Sequence, residues 1–405
     1  MLELRSVVLL LSVIQSFVPH ETSASNFAYV DGNVSCTIIN LTDQSDTQDY
    51  AFLTNSTEEL IFSKATILVL DLTKPLSIIT PWKILINHSN VTQIIFPAKM
   101  SPSVVHLIEM EVRDVTFEEN LSLQDFRADY TSLQVVSPTV SKLSALDILW
   151  VTHSQLTNFS FDVLENSSVS LLYLVSNKIE SVTISPGVLC CQHLEEIFLS
   201  DNLLTKLDLG IVALMSKLKT MNLENNKLTD LYMHVPSILH APKQDEGEDS
   251  GFCSWREYYI KQEKTEEELS TPNCTDYFAT LLSLHFPRNN IVNLNFSTFR
   301  LMNNLNSLDL SKNRLINLMA SDDEAPIRLT ELFVSNNNIT DVYLRPFVSM
   351  KAIYLCDNYV KELNMSSLPE DLDYLNLINN PLNCEELAHM KRRSTVPVLG
   401  PYTEC

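Results

Sequence analysis

The chain has 405 residues, 45% of them hydrophobic, enough to bury a sizeable core in one to three domains. A formal net charge of −22 argues against general binding of nucleic acid or an anionic membrane surface. Glycine numbers only 6 residues, against about 7% in ordinary chains, so glycine-rich phosphate cradles are not expected.

Arg5 precedes the apolar run VVLLLSVI at 7–14, and Thr22-Ser23-Ala24 offers a cleavage site. A basic start, a short apolar run and small residues make a secretory signal peptide over 1–24; the competing reading is a buried N-terminal helix. No later apolar run is long enough to cross a bilayer, and the tail PVLGPYTEC lacks the end of a lipid-anchor signal. The expectation is a secreted, extracellular protein with no membrane anchor. Eight cysteines with no C-x-x-C pair fit an oxidising compartment. So do twelve Asn-x-Ser/Thr sites, at Asn33, Asn40, Asn55, Asn87, Asn90, Asn120, Asn158, Asn166, Asn273, Asn295, Asn338 and Asn364.

Residues 25–60 are expected to form an N-terminal cap carrying Cys36 and three of these sites. Weak strand signals follow near Ile94 and Met110. The stretch YTSLQVVSPTV (130–140) then fits a repeat template with Pro138 in its ninth place, and LDILWVTHSQL (146–156) fits with Ser154 there.

From 169 the template L-x-x-L-x-L-x-x-N-x-L is clear. It gives VSLLYLVSNKI (169–179), LEEIFLSDNLL (194–204), LKTMNLENNKL (218–228), LLSLHFPRNNI (281–291), LNSLDLSKNRL (305–315), LTELFVSNNNI (329–339), MKAIYLCDNYV (350–360) and LDYLNLINNPL (372–382). The asparagines are Asn177, Asn202, Asn226, Asn289, Asn313, Asn337, Asn358 and Asn380, spaced 25, 24, 63, 24, 24, 21 and 22 apart. A period of 20–29 on this template is the signature of leucine-rich repeats. Each L-x-L predicts a short strand with leucines turned inward and the residue between them outward. The chain then turns away, and a buried amide can satisfy the backbone groups of that turn. The asparagines are therefore architectural. The fold class expected is an α/β solenoid: a leucine-rich-repeat horseshoe with short parallel strands on its concave face and about 11–12 coils between two caps. The repeats should span 61–383.

The 63-residue gap holds an acidic insertion, about residues 234–275, bracketed by Cys253 and Cys274, which are expected to pair. It is either a functional loop or solvated surface. Residues 384–405 should close the array, with Cys384 bonded to Cys405. Cys36, Cys190, Cys191 and Cys356 remain. A bond between neighbours in sequence is disfavoured by strain. These four stand as intramolecular or buried thiols, or as candidates for a disulfide to a partner chain.

The outward places between the strand leucines are Gln134, Trp150, Tyr173, Phe198, Asn222, His285, Asp309, Phe333, Tyr354 and Asn376. Aromatic side chains side by side there either stack to stabilise the sheet or form a binding hot spot. Trp150, Tyr173, Phe198, His285, Phe333 and Tyr354 are the candidate ligand-binding residues. No glycosylation site falls on the outward places from Gln134 on, which leaves that face open, although a tight concavity would exclude sugars by itself. No G-x-S-x-G, H-E-x-x-H, P-loop or zinc-like cysteine spacing occurs, so neither an enzyme nor a cofactor is expected.

These repeats resemble extracellular leucine-rich-repeat proteins over about three quarters of the chain. The irregular early repeats, scarce glycine, the NPLNC end of the last repeat and the unanchored tail are similar to the secreted leucine-rich immune proteins of mosquitoes. That resemblance implies a role in humoral immunity, with some members forming disulfide-linked pairs that hold a complement-like thioester protein. Those members carry a C-terminal coiled coil that this chain lacks, so it matches a coil-less subgroup. The implied function is innate immune recognition of a protein or microbial-surface ligand. A cell-adhesion, matrix or developmental-signalling module would use the same horseshoe.

Overall fold

The computed structural model describes residues 34–42, 50–98, 100–120, 122–185, 188, 190–213, 215–233, 278–321 and 325–382, together with the backbone of 20–21, 28–31 and 398–399. The chain forms two compact units, Met1–Leu133 and Gln134–Cys405. The insertion at 234–275, with Cys253 and Cys274, lies outside the described residues, as do Cys384, Cys405, Asn33 and Asn273.

In the first unit, Ser35–Ile39, Glu59–Ser63, Lys83–Asn87, Val104–Met110 and Asp125–Thr131 pair successively as parallel strands. Ala28–Asp31 adds antiparallel to the first of them. The earliest parallel strand thus falls within 25–60, where the sequence suggested a cap. A second parallel sheet, Val69–Asp71, Gln93–Phe96 and Asp114–Phe117, forms on the return limb.

These coils keep the repeat template by burial while abandoning its residue identities. Thr57, Leu60, Phe62, Ala65 and Ile67 fill the five inward places of one coil, and Pro81, Ile84, Ile86, Ser89 and Val91 those of the next. Ala65, Ser89, Met110 and Thr131 stand where later coils have asparagine. Ser89 does part of the amide's work: its Oγ accepts from the Ala65 N–H at 3.0 Å and donates to the Asn87 carbonyl at 2.7 Å.

The second unit pairs Ile148–Thr152, Leu171–Tyr173, Glu196–Phe198, Thr220–Asn222, Ser283–His285, Ser307–Asp309, Glu331–Phe333, Ala352–Tyr354 and Tyr374–Asn376 as one parallel sheet, with Val398–Leu399 beyond. The central residues Leu149, Leu172, Ile197, Met221, Leu284, Leu308, Leu332, Ile353 and Leu375 are all buried, at 0% exposure. Thr220–Asn222 pairs directly with Ser283–His285, so the insertion leaves and re-enters between adjacent coils.

The stretch 130–140 does not add a coil. Its ninth residue, Pro138, opens a 3-10 turn, Pro138–Lys142, and Val135 and Gln134 are exposed off any strand. A proline lacks the N–H a strand ladder needs. Return limbs elsewhere are short strands and 3-10 turns; the α-helix among the described residues is Thr73–Leu76.

Each of the eight ladder asparagines is buried, 3–7% exposed. Its Nδ2 donates to a carbonyl of the preceding coil at 2.8–3.0 Å. Its Oδ1 accepts a backbone N–H from that same coil. The residue just before each asparagine is left-handed: Ser176, Asp201, Asn225, Arg288, Lys312, Asn336, Asp357 and Asn379 have φ between 54° and 59°. This geometry ordinarily calls for glycine, with asparagine and aspartate next best. Five of these eight are asparagine or aspartate, which is how a glycine-poor chain makes the turn. The left-handed N–H groups then bond the following coil, as Ser176 to Ser200 O at 3.0 Å and Lys312 to Ser335 O at 2.8 Å.

Candidate functional site

A three-residue strand with a buried centre must turn both flanking side chains outward. Parallel pairing without slippage then aligns them into two columns on the exposed face of the second unit's sheet. One column runs Ile148, Leu171, Glu196, Thr220, Ser283, Ser307, Glu331, Ala352 and Tyr374. The other runs Trp150, Tyr173, Phe198, Asn222, His285, Asp309, Phe333, Tyr354 and Asn376. All nine of the second column are half-buried.

The aromatic residues gather into two stacks. Trp150 and Tyr173 lie ring on ring, with centroids 3.7 Å apart and planes 7° apart, and Phe198 follows at 5.0 Å and 39°. Phe333 and Tyr354 stack at 4.4 Å and 9°, and Tyr374 follows at 5.1 Å and 44°. Tyr374 occupies the first column rather than the second, so a search of the places between leucines passes over it. Its signal was an aromatic directly before a strand leucine.

His285 stands apart from both stacks, between Asn222 and Asp309. Its Nε2 is 2.7 Å from the Ser283 hydroxyl. The polar residues around it serve their own chain. Asn222 Oδ1 accepts from the Glu224 N–H at 2.9 Å, and Asp309 Oδ1 accepts from the Ser311 N–H at 2.8 Å. The six candidate residues therefore make two aromatic patches with a polar stretch between. Phe198 and Phe333 are four strand steps apart, about 19 Å.

The cysteines differ from expectation. Cys190 and Cys191 are bonded to each other, with Cα atoms 3.7 Å apart, and both are buried, 6% and 5% exposed. The adjacent pairing disfavoured on strain is the one present, and both sulfurs face the interior instead of a partner chain. Cys36 is buried on its strand, 2% exposed. Cys356 follows Tyr354 on the sheet face, where its thiol donates to Ser335 Oγ at 3.1 Å. Burial pushes its pKa up, and Asp357 adds to the rise.

Among the described sequons, Asn40, Asn55, Asn90, Asn158, Asn166, Asn295, Asn338 and Asn364 are exposed, and Asn87 is half-buried on the first unit's sheet. Asn120 is not a usable site in this fold. It is 1% exposed, its Nδ2 donates to Met100 O at 3.0 Å, and its Oδ1 accepts from Ser122 N–H and Leu123 N–H at 2.7 and 2.9 Å. Its amide nitrogen is already engaged inside a turn.

Among the described residues, no group of three His, Cys, Asp or Glu side chains could hold a metal ion, and no helix is long and apolar enough to cross a membrane.

A parallel-strand solenoid of repeated coils, closed by an asparagine ladder, is the leucine-rich-repeat fold. No family profile and no curated protein matches the chain. Solved structures of this fold do. The Toll–Spätzle complex of Drosophila matches at 16% identity and TM-score 0.47, over 93% of this chain and 54% of that one. The leucine-rich-repeat domain of APL1B matches at 15% and 0.46, over 90% and 86%. A leucine-rich-repeat protein of Leptospira interrogans matches at 16% and 0.44, over 85% and 90%. Identities this low describe a shared fold and nothing finer.

Proposed function

We propose that the chain is a secreted, glycosylated, non-enzymatic recognition protein of innate immune defence. It binds a protein or microbial-surface partner through the exposed sheet face of residues 134–405. The observation that carries this reading is the pair of aromatic stacks on a sheet face whose column residues are left half-exposed among the described residues. Buried-rim aromatics of this kind supply large contact area at low entropic cost. The glycosylation sites support it: Asn158, Asn166, Asn295, Asn338 and Asn364 are exposed, and none lies in either column. The signal-peptide pattern and the resemblance to secreted immune repeat proteins supply the compartment and the process.

The test immobilises wild-type chain and the variants Trp150→Ala and Phe333→Ala, then passes extracellular fluid of the source organism over each. Expected is one protein or cell-wall component retained by wild type and held at least about tenfold less well by each variant, as hot-spot truncation does. Equal retention by all three removes the sheet face from the reading. Transcript levels after infection address the process. Induction supports defence; constant, tissue-restricted expression points to an adhesion or signalling module instead.

A further inference from the structure

The two aromatic patches share more than rings. Each begins or ends on a strand of the same composition: Glu196-Ile197-Phe198 in one, Glu331-Leu332-Phe333 in the other. In both, the aliphatic centre is buried and the carboxylate lies beside the ring on the outer face. Asp309 adds a third carboxylate between them. The two columns contain no lysine or arginine, and His285 is their one titratable base. Three of the cations that flank the columns face carboxylates of their own, and a fourth, Lys312, stands exposed three residues after Asp309. Lys219 is 2.6 Å from Glu195, Arg288 is 3.3 Å from Glu224, and Lys351 is 3.9 Å from Asp373. The face is thus acidic where it is aromatic, within a chain of net charge −22.

The ring geometry limits what can bind. Tyr173 is enclosed between Trp150 and Phe198, and Tyr354 between Phe333 and Tyr374. A sugar ring or a cation binds an aromatic through its open π-face. Here the inner ring of each stack has another ring on both sides, so its edge is what remains available to a partner. Edges bury aliphatic side chains well, and the neighbouring carboxylates supply the charge.

Resting on the recognition role above, we infer that the partner is a basic protein surface. It presents aliphatic side chains flanked by lysine or arginine at two points about 19 Å apart, and it is not a glycan. Charge complementarity selects a cationic partner and speeds its encounter, while the aromatic edges hold it.

The experiment uses the full glycosylated chain and defined probes. These are peptides alternating leucine with lysine, leucine with glutamate and serine with lysine, and soluble β-glucan and chitin oligomers. The variant Glu196→Gln/Asp309→Asn/Glu331→Gln removes the face's carboxylates. The variant Glu180→Gln/Asp230→Asn/Asp341→Asn makes the same change in net charge at exposed positions off the columns. Circular dichroism confirms that both fold. Expected is binding of the leucine–lysine peptide alone, about tenfold weaker in the face variant at low salt and unchanged in the control variant.

Equal loss in both variants, or no binding of the leucine–lysine peptide, overturns the inference. So does a glucan or chitin oligomer that binds in a Trp150-dependent manner, although the sheet face would then remain the recognition surface. If native-partner retention survives both Trp150→Ala and Phe333→Ala, the recognition reading fails with it.

Discussion

Replacing Asn313 separates the work of its two amide atoms. Nδ2 donates to Phe286 O, Leu310 O and Ser311 O at 2.9, 3.0 and 3.2 Å, and Oδ1 accepts from the Ile291 N–H at 3.0 Å. Asn313→Ala removes all four bonds, yet the carbonyls keep other donors. Phe286 O retains Asn289 Nδ2, Leu310 O retains Asn337 Nδ2, and Ser311 O retains the Arg288 N–H. The group left without a partner is the Ile291 N–H. One orphaned buried donor costs about 1–3 kcal/mol, and that is the destabilisation expected. Asn313→Asp keeps the acceptor but turns a carboxylate on three carbonyl oxygens, so at pH 7 it should destabilise more than alanine does. Its folded pKa is raised. Its relative stability is therefore fully present below about pH 3.9, the unfolded value, and is lost as pH rises through the folded one. Urea unfolding of both variants at pH 7 and pH 4, followed by circular dichroism, measures this. An aspartate variant as stable as alanine at pH 7, or an alanine variant with an unchanged midpoint, would refute the assignment of donor and acceptor roles.

Three further outcomes follow from named contacts. Asn120→Gln should leave the glycan mass unchanged and lower stability by about 1–3 kcal/mol, whereas Asn338→Gln, if that exposed site is used, should lose one glycan with little change in stability; intact mass and melting temperature decide. Burial lowers the His106 pKa below 6.5, with Arg127 and Lys83 acting the same way and Asp125 and Asp129 opposing. The unfolded chain therefore takes up that proton first, so stability present above pH 6.5 is lost as pH falls below it. Melting temperatures between pH 7.5 and 5 should fall less steeply in His106→Gln, and parallel curves would contradict this. Because burial raises the Cys356 pKa and so lowers its thiolate fraction, its alkylation by iodoacetamide at pH 7 should run slower than that of an exposed cysteine, and an equal rate would contradict this. Cys190→Ser/Cys191→Ser should leave the mass on a non-reducing gel unchanged.

The fold was legible wherever leucine and asparagine kept their identities, which is from Val169 to Leu382. Earlier coils hide because the strand places demand only burial, and Thr57, Pro81, Ala65 and Met110 satisfy burial without matching a letter. Pro138 misled for the opposite reason: its neighbours fit the template, but its missing N–H starts a turn. At the site, alternation revealed Trp150, Tyr173, Phe198, Phe333 and Tyr354. The order of the repeats already set the first three apart from the last two; it could not give the ring-to-ring geometry or the addition of Tyr374 to the second stack. The Cys190–Cys191 bond was likewise beyond a spacing rule, since it depends on a local turn in which Cys191 takes a φ of 69°.

The left-handed residue and the asparagine after it repeat at the same point of the eight coils from Val169 on, so the array has interchangeable seams. Excising 289–312 would join Arg288 to Asn313, left-handed turn to ladder amide, as before. Ser283–His285 would then lie against Glu331–Phe333. The two aromatic patches would approach by one strand spacing, about 4.8 Å, with neither patch altered. The number of polar coils between them acts as a ruler, graduated in whole repeats. A chain built this way can change the span between its two patches by gaining or losing a coil, with neither patch rebuilt.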